Sequence, residues 1–137
     1  MRLQMTSEYA IRVLVYLGIH DGEIISAKKL NAELGIPYKY LTRLLSHLER
    51  SGFLTSTRGK NGGFQLKREQ SSICLHEIIN AIEGLEDYDR CMLGFKICSE
   101  EGECALHQYM TTVKKKLKTQ VYSLTLEDLI KSKPDKI

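Results

Sequence analysis

Residues 53–67 read FLTSTRGKNGGFQLK, in which two short runs of strand-forming residues flank a turn that contains three glycines. Residues 53–57 and 64–67 carry the aromatic, apolar and threonine side chains that favour extended strands. The glycines are free to adopt positive φ, and the turn also carries Arg58 and Lys60. The pattern predicts a β-hairpin with a basic tip. A hairpin this short needs helices on which to pack its apolar residues.

Three predicted helices precede the hairpin. Apolar residues at helical spacing predict the first over 7–20. Ser26 is a favoured N-cap for a second helix over 27–34, which Gly35 would end. A third helix over 37–51 begins at a proline, a favoured first helical residue, and has leucines on one side and polar or basic residues on the other. The last two helices form a helix-turn-helix pattern, which the hairpin extends to a winged helix-turn-helix.

The second half of the chain is predicted to be helical around an irregular segment. One of two serines at 71–72 caps a fourth helix that ends at Gly84. Residues 85–103 are polar and without periodicity. A long helix over 104–124 has apolar residues at alternating steps of three and four, the spacing of a seam against another helix. Thr125 then caps a short final helix.

We therefore predict a mostly α fold with a small β-hairpin. It comprises a winged helix-turn-helix domain over 1–84, a cysteine-bearing loop over 85–103, a dimerisation helix with a short C-terminal helix over 104–131, and a tail over 132–137. A domain of this size has little core left to cover the long helix, so its seam predicts a homodimer. The alternative is that the helix folds back on the winged domain.

Composition narrows the possible functions. The chain has 137 residues and is 42% apolar, which suffices for one globular domain. No apolar run approaches the roughly 18 residues needed to span a membrane, and no signal-peptide pattern is present, which predicts a cytoplasmic protein. Residues 1–70 hold 11 Lys and Arg against 6 Asp and Glu, whereas residues 71–137 hold 9 against 11. A basic first half suggests a polyanionic partner, although ordinary scatter of surface charge is the alternative.

A helix that reads the DNA major groove presents polar and basic side chains near its N-terminal end. Arg43 can donate two hydrogen bonds to guanine, and Thr42 can offer a hydroxyl or a methyl group to a base edge. Arg58, at the tip of the wing, is suited to a narrow minor groove. The predicted DNA-binding residues are Tyr38, Lys39, Tyr40, Thr42, Arg43, Arg58, Gly59, Lys60, Asn61 and Gly62. For each of them, the alternative is a solvated surface residue.

Three of the four cysteines are crowded into Cys91-x6-Cys98-x5-Cys104, and His107 follows. Thiolates and imidazole are ligands for iron–sulfur clusters and for soft metals. In a cytosolic protein such a group indicates metal or redox chemistry rather than disulfides. Zinc is an alternative, since three Cys and one His also form a tetrahedral zinc site, although these spacers are longer than usual. A metal-free group of oxidisable cysteines is another. Cys74 lies apart and is expected to be a packed residue.

The chain resembles the Rrf2 family of bacterial transcription regulators over nearly its whole length. The most specific resemblance is the wing, TRGKNGGF at 57–64. The start of the chain, MRL with YA at 9–10, is also similar to that family, as are LGI at 34–36, YL at 40–41, and I with AIEG at 79–84. The resemblance implies a homodimer that binds a near-palindromic operator in double-stranded DNA through the winged domain.

The resemblance also implies a cofactor. In the sensing branches of the family, three cysteines before the dimer helix hold an iron–sulfur cluster, and Cys91, Cys98 and Cys104 match them in order, with one extra residue in the first spacer. A 2Fe–2S cluster is favoured over 4Fe–4S. His107 corresponds to the histidine ligand of the iron–sulfur-assembly branch. Glu8 is its rival, because the nitric-oxide-sensing branch uses an acidic residue in the first helix.

The function expected from sequence is therefore a DNA-binding transcription regulator controlled by an iron–sulfur cluster that senses iron–sulfur status, redox state or nitric oxide. The alternative is a winged-helix regulator with structural zinc or no metal, which responds to a small molecule or a protein partner. Enzymatic activity is not expected. The glycines at 59, 62 and 63 lie in a hairpin turn rather than between a strand and a helix, so they do not form a phosphate-binding loop.

Overall fold

The computed structural model describes residues 3–85, 91–95 and 104–132. Within these ranges the chain forms six α-helices and one two-stranded antiparallel sheet, the mostly α fold with a small hairpin that the sequence predicts. The elements are α1 (Met5–Ile19), α2 (Ala27–Leu34), α3 (Tyr38–Arg50), β1 (Leu54–Thr57), β2 (Gly63–Leu66), α4 (Leu75–Ile82), α5 (Ala105–Lys116) and α6 (Leu126–Ser132). No helix in the described ranges is long and apolar enough to cross a membrane.

The core of the winged domain forms around α1. Helices α2 and α3, β1, the start of α4 and α6 all contribute side chains to one cluster with α1. Its largest fully buried members are Leu14, Leu17, Ile25, Leu30, Ile36, Leu41, Leu45, Leu48, Leu54, Ile73 and Ile78. The leucine stripe of α3 is part of this cluster, which fixes the opposite, polar face of α3 toward solvent.

The C-terminal part of the chain returns to the winged domain. Leu75 N donates to Leu124 O at 2.8 Å, and Leu126 N donates to Ile73 O at 2.8 Å. These bonds fix the chain that follows α5 to the chain that enters α4. Helix α6 then packs on α1, where Ile130 lies against Gly18. The start of α4 and the chain that follows α5 are thus both held at the winged domain.

The predicted cap of α4 is wrong. Residues 70–72 form a 3₁₀ turn, and α4 begins at Leu75 with Cys74 as its N-cap residue. Ser72 Oγ donates to Glu69 O at 2.8 Å, so this serine serves the turn and not the helix. The side chain of Glu77 accepts from Cys74 N at 2.8 Å and caps α4 in its place.

The long helix predicted over 104–124 is regular only to Lys116. Residues 117–121 form a π-helical turn, in which Tyr122 N donates to Leu117 O at 2.8 Å. Thr119 Oγ1 donates to Lys115 O at 2.9 Å and Ser123 Oγ to Thr119 O at 2.9 Å. Such bonds from hydroxyl groups to carbonyls one turn back compete with the helix ladder and bend helices. The spacing of apolar residues carries no information about these hydroxyl-to-carbonyl hydrogen bonds.

The Arg68–Glu77 pair makes a testable contribution to stability. Burial raises the pKa of Glu77, but hydrogen bonds from Arg68 and Cys74 N outweigh it, so this pKa lies below its ordinary value of 4.5. A lowered folded-state pKa stabilises the fold above the unfolded pKa, and this stability is lost as pH falls through the folded pKa. Because the pair is partly exposed, we expect Glu77→Gln to cost about 0.5 kcal/mol at pH 7 and nothing well below pH 4. Urea unfolding at both pH values measures this, and an equal loss at both would contradict it.

Candidate DNA-reading surface and cysteine-lined cavity

The outward face of α3 is a polar groove bounded by basic side chains. Thr42, Arg43, Ser46, Glu49 and Arg50 line it. Arg43, Ser46 and Arg50 are exposed. The buried leucines of α3 hold this face outward, because residues three and four apart share one side of a helix. Ser46, Glu49 and Arg50 are not among the residues predicted from the sequence, although steps of three and four from Arg43 lead to them.

The residues predicted at the start of α3 divide into two groups. Tyr38 is 52% exposed, and Lys39 is also exposed. Tyr40 instead packs on α1: its hydroxyl is hydrogen-bonded to Thr6 Oγ1, and its ring meets that of Tyr9 edge-on with centroids 5.5 Å apart. This contact positions α3 on α1 and occupies the Tyr40 hydroxyl. We therefore leave Tyr40 out of the proposed contacts.

The wing tip is exposed from Arg58 to Asn61. Gly59 has φ +110°, which side-chain-bearing residues rarely adopt, and its carbonyl accepts from Gly62 N at 3.0 Å. A Cβ on Gly62 would meet the backbone of residues 57–59. These glycines therefore serve the shape of the turn, which leaves the side chains of Arg58, Lys60 and Asn61 pointing into solvent.

Two contacts hold the wing against the helical part of the domain. Ile25 and Phe64 exchange backbone hydrogen bonds of 2.9 and 2.8 Å, which add a bridge to the hairpin ahead of α2. Ser56 Oγ donates to Glu49 Oε1 at 2.5 Å, which links β1 directly to the last turn of α3. The wing is thereby joined both to the chain ahead of α2 and to α3.

The cysteine-bearing region forms a cavity of about 440 Å³. Cys91, Cys104 and His107 all line it. Cys104 is the N-cap residue of α5, and His107 N donates to its carbonyl at 3.0 Å, so both residues lie on the first turn of one helix. The apolar part of the lining is Met92, Leu93, Leu106 and Met110. Cys98 lies outside the described residues.

The donors of this cavity fit an iron–sulfur cluster in their chemistry. Two cysteines and one histidine are the ligand types that such clusters take. Among the described residues, however, no group of three His, Cys, Asp or Glu side chains is arranged to hold a metal ion. Glu8 is not among the residues that line the cavity, and neither is Cys74, which is half-buried at the start of α4.

These features define a class of protein: a winged helix-turn-helix DNA-binding transcription regulator with an appended helix. The sequence profile of the Rrf2 family, described as an iron-dependent transcriptional regulator, matches residues 3–132. The chain therefore belongs to the Rrf2 family.

Individual relatives agree with this assignment. The HTH-type transcriptional regulator IscR of Xenorhabdus nematophila is 29% identical over 133 residues, which cover 96% of this chain and 80% of that protein. The structure of CymR, the global cysteine regulator of B. subtilis, matches with a TM-score of 0.80 and 25% identity, covering 97% of this chain and 98% of CymR. IscR of T. potens matches in fold with a TM-score of 0.77 and 24% identity, covering 100% and 92% of the two chains.

Proposed function

We propose that this Rrf2 regulator is a homodimer whose affinity for a near-palindromic operator is controlled by an iron–sulfur cluster. Cys91, Cys98, Cys104 and His107 would hold the cluster. The observation that carries the proposal is that Cys91, Cys104 and His107, which come from two separate segments, line one cavity. That cavity is lined by residues that follow α4 and by α5. Since the start of α4 and the chain that follows α5 are held at the winged domain, a change within the cavity has a connection to the DNA-binding unit.

The proposed DNA contacts divide between the two grooves. Thr42 and Arg43 on α3, joined by Ser46 and Arg50, would read the major groove and its phosphates. Arg58, with Lys60 and Asn61 beside it, would enter the minor groove. Lys39 and Tyr38 suit phosphate contacts at the start of α3.

Replacing Arg58 with alanine is expected to weaken operator binding by about 1–3 kcal/mol if Arg58 reads the minor groove. The matched comparison is Asn61→Ala, which removes a neutral contact from the same exposed turn and is expected to weaken binding less and to leave the salt slope unchanged. Fluorescence anisotropy at several salt concentrations measures both effects. Loss of one phosphate-directed cation also lowers the salt slope by about 1. Equal affinities for Arg58→Ala and the unaltered protein would remove Arg58 from the interface.

The homodimer is supported by the surface of α5. None of its residues is buried, although it carries large apolar side chains. Tyr109 is 72% exposed and Val113, one turn later on the same face, is 46% exposed. Soluble monomers rarely leave an amphipathic helix uncovered along its whole length. A second copy of the chain would cover this face and would place two winged domains on two half-sites.

The cluster, when bound, would supply iron chemistry that responds to oxidants, nitric oxide and iron supply. The chain's own residues would do the rest. His107 is a weaker donor to iron than thiolate, which suits a labile sensor more than a permanent structural site. Cys104 and His107 would anchor the cluster to α5, and Cys91 would anchor it to the loop after α4. The setting of the two winged domains in the dimer would then depend on the state of this loop.

Anaerobic purification followed by an absorption spectrum and by analysis of iron, sulfide and zinc tests the proposal. Visible absorption with matching amounts of iron and sulfide, together with a change in operator affinity when the cluster is removed, is the expected result. A colourless protein with one zinc ion per chain would refute cluster sensing, but it would leave the DNA-binding function intact.

The fourth ligand can be tested separately. We expect His107→Ala to shorten the lifetime of the cluster in air several-fold, whereas Glu8→Ala has little effect, because His107 lines the cavity and Glu8 does not. The decay of visible absorption after exposure to air measures both variants. Faster loss in Glu8→Ala than in His107→Ala would reverse the assignment.

A second candidate function is regulation by a small molecule, with zinc or no metal at the cysteines. The cavity of about 440 Å³ and its apolar lining favour it, since both are typical of sites for small ligands. A metal-free protein whose operator affinity responds to a metabolite extract, but not to reconstitution with iron and sulfide, would support this alternative.

A further inference from the structure

The last turn of α4 is completed by side chains and not by the helix ladder alone. Glu83 N donates to Ile79 O at 2.8 Å and Gly84 N to Asn80 O at 3.1 Å, as in a regular helix end. The next amide, Leu85 N, departs from this series and donates to the side-chain Oδ1 of Asn80 at 3.0 Å. Gly84 has φ +74°, so the chain turns away from the helix axis here.

Because Leu85 N does not bond to the Ala81 carbonyl, a residue of α3, the proposed recognition helix, bonds to it instead. His47 Nε2 lies 2.8 Å from Ala81 O. Since a carbonyl oxygen only accepts, His47 Nε2 carries the hydrogen and donates. His47 is on the last two turns of α3, one residue after Ser46 of the outward groove, and both His47 and Ala81 are partly shielded from solvent.

We propose that His47 is a positioning residue that couples the C-terminal end of α4 to the recognition helix. The bond joins two places that the proposed function needs to connect. Ala81 is ten residues before Cys91 and lies at the exit toward the cysteine-bearing loop. His47 is partly exposed and lies between the buried face of α3 and the outward face that would read DNA. A displacement of the loop pulls first on Gly84 and Ala81, and the hydrogen bond passes it to α3.

A second contact joins the end of α4 to another element, α1. Gln4 N donates to Glu83 Oε1 at 2.8 Å, which ties the start of α1 to the same turn. The wing is linked to α3 by Ser56 and Glu49, so a shift of α3 relative to α4 moves the whole DNA-reading unit. Coupling is reciprocal: if the end of α4 biases DNA binding, then DNA binding must change the end of α4 by the same free energy.

The inference rests on the proposed function only where it concerns the cluster, so two measurements are needed. The first uses the full chain without cluster and a DNA duplex selected by this protein from a random library. Hydrogen exchange of the segment 79–85 is followed with and without the duplex. We expect DNA to slow exchange there at least threefold in the unaltered protein and in His47→Gln, which keeps a donor, but not in His47→Leu, which has none.

The second measurement is the ratio of operator affinities with and without cluster. We expect His47→Leu to reduce this ratio at least fivefold toward unity while both forms still bind DNA, and His47→Gln to restore it. A role in stability alone would weaken both forms equally and leave the ratio unchanged. A DNA-induced change in exchange that is the same in His47→Leu as in the unaltered protein, or absent from the unaltered protein, overturns the proposal. If the unaltered protein shows no effect of the cluster on affinity, cluster sensing fails, and the exchange measurement alone decides the role of His47.

Discussion

Replacing Gly63 with alanine is expected to lower the free energy of unfolding by about 2–4 kcal/mol and to abolish specific DNA binding. A Cβ at this position would lie 2.5 Å from the carbonyl carbon of Ile25 and 2.8 Å from Ser26 N. These are backbone atoms and cannot rotate away. The hairpin would have to separate from the chain ahead of α2, which breaks the reciprocal Ile25–Phe64 hydrogen bonds and displaces the wing.

Gly59 and Asn61 provide controls that separate contact from backbone strain. Gly59 has φ +110° with open space around it, so Gly59→Ala introduces strain of about 1–3 kcal/mol without a clash. Asn61→Ala changes the same turn and introduces neither strain nor a clash. Urea unfolding followed by circular dichroism, together with operator binding, ranks the three variants. A cost for Gly63→Ala within 0.5 kcal/mol of that for Asn61→Ala would show that the wing does not depend on this close approach.

The position of Gly63 illustrates what the sequence specifies locally and what it leaves to packing. The glycines predict a turn, but not that one of them lies against the backbone of Ile25, far earlier in the chain. Helix α2, by contrast, begins and ends at the predicted residues because both of its signals are local. Ser26 Oγ accepts from Lys29 N at 3.1 Å, and Gly35 ends the helix at φ +64°. Such capping needs only the neighbouring residues.

Long-range contacts account for the differences between prediction and structure. Tyr40 is a type of residue that often contacts phosphates. Here its hydroxyl is hydrogen-bonded to Thr6 and its ring packs on Tyr9, both more than thirty residues earlier. The serines before α4 are favoured N-cap residues, but the side chain of Glu77, inside the helix, accepts the hydrogen bond from Cys74 N instead. His47 carried no signal in the sequence at all, because its partner is a backbone carbonyl 34 residues away. Local patterns therefore predict elements, whereas pairing across elements decides the role of a polar side chain.

Replacing Cys104 with serine is expected to abolish the visible absorption of the anaerobically purified protein and to remove nearly all of its iron. Cys104 combines two properties that no other described cysteine has: it lines the cavity and it is the N-cap residue of α5. Its thiolate would therefore tie the cluster directly to the proposed dimer helix. Serine is close in size to cysteine and is a favoured N-cap residue, but its hydroxyl is a poor ligand for iron.

Cys74 provides the matched control for this experiment. It is also the N-cap residue of a helix, α4, and it is also partly buried, but it does not line the cavity. Cys74→Ser should therefore keep full absorption, iron and sulfide, and urea unfolding of both variants without cluster measures any separate effect on folding. If both variants lose iron equally, the cysteines affect the cofactor through folding. If Cys104→Ser keeps its iron, the cluster does not use the cavity at the start of α5. Loss in Cys104→Ser alone would locate the cluster between the loop after α4 and the helix that is proposed to join the two subunits, where a change of ligation has the shortest connection to the spacing of the two winged domains.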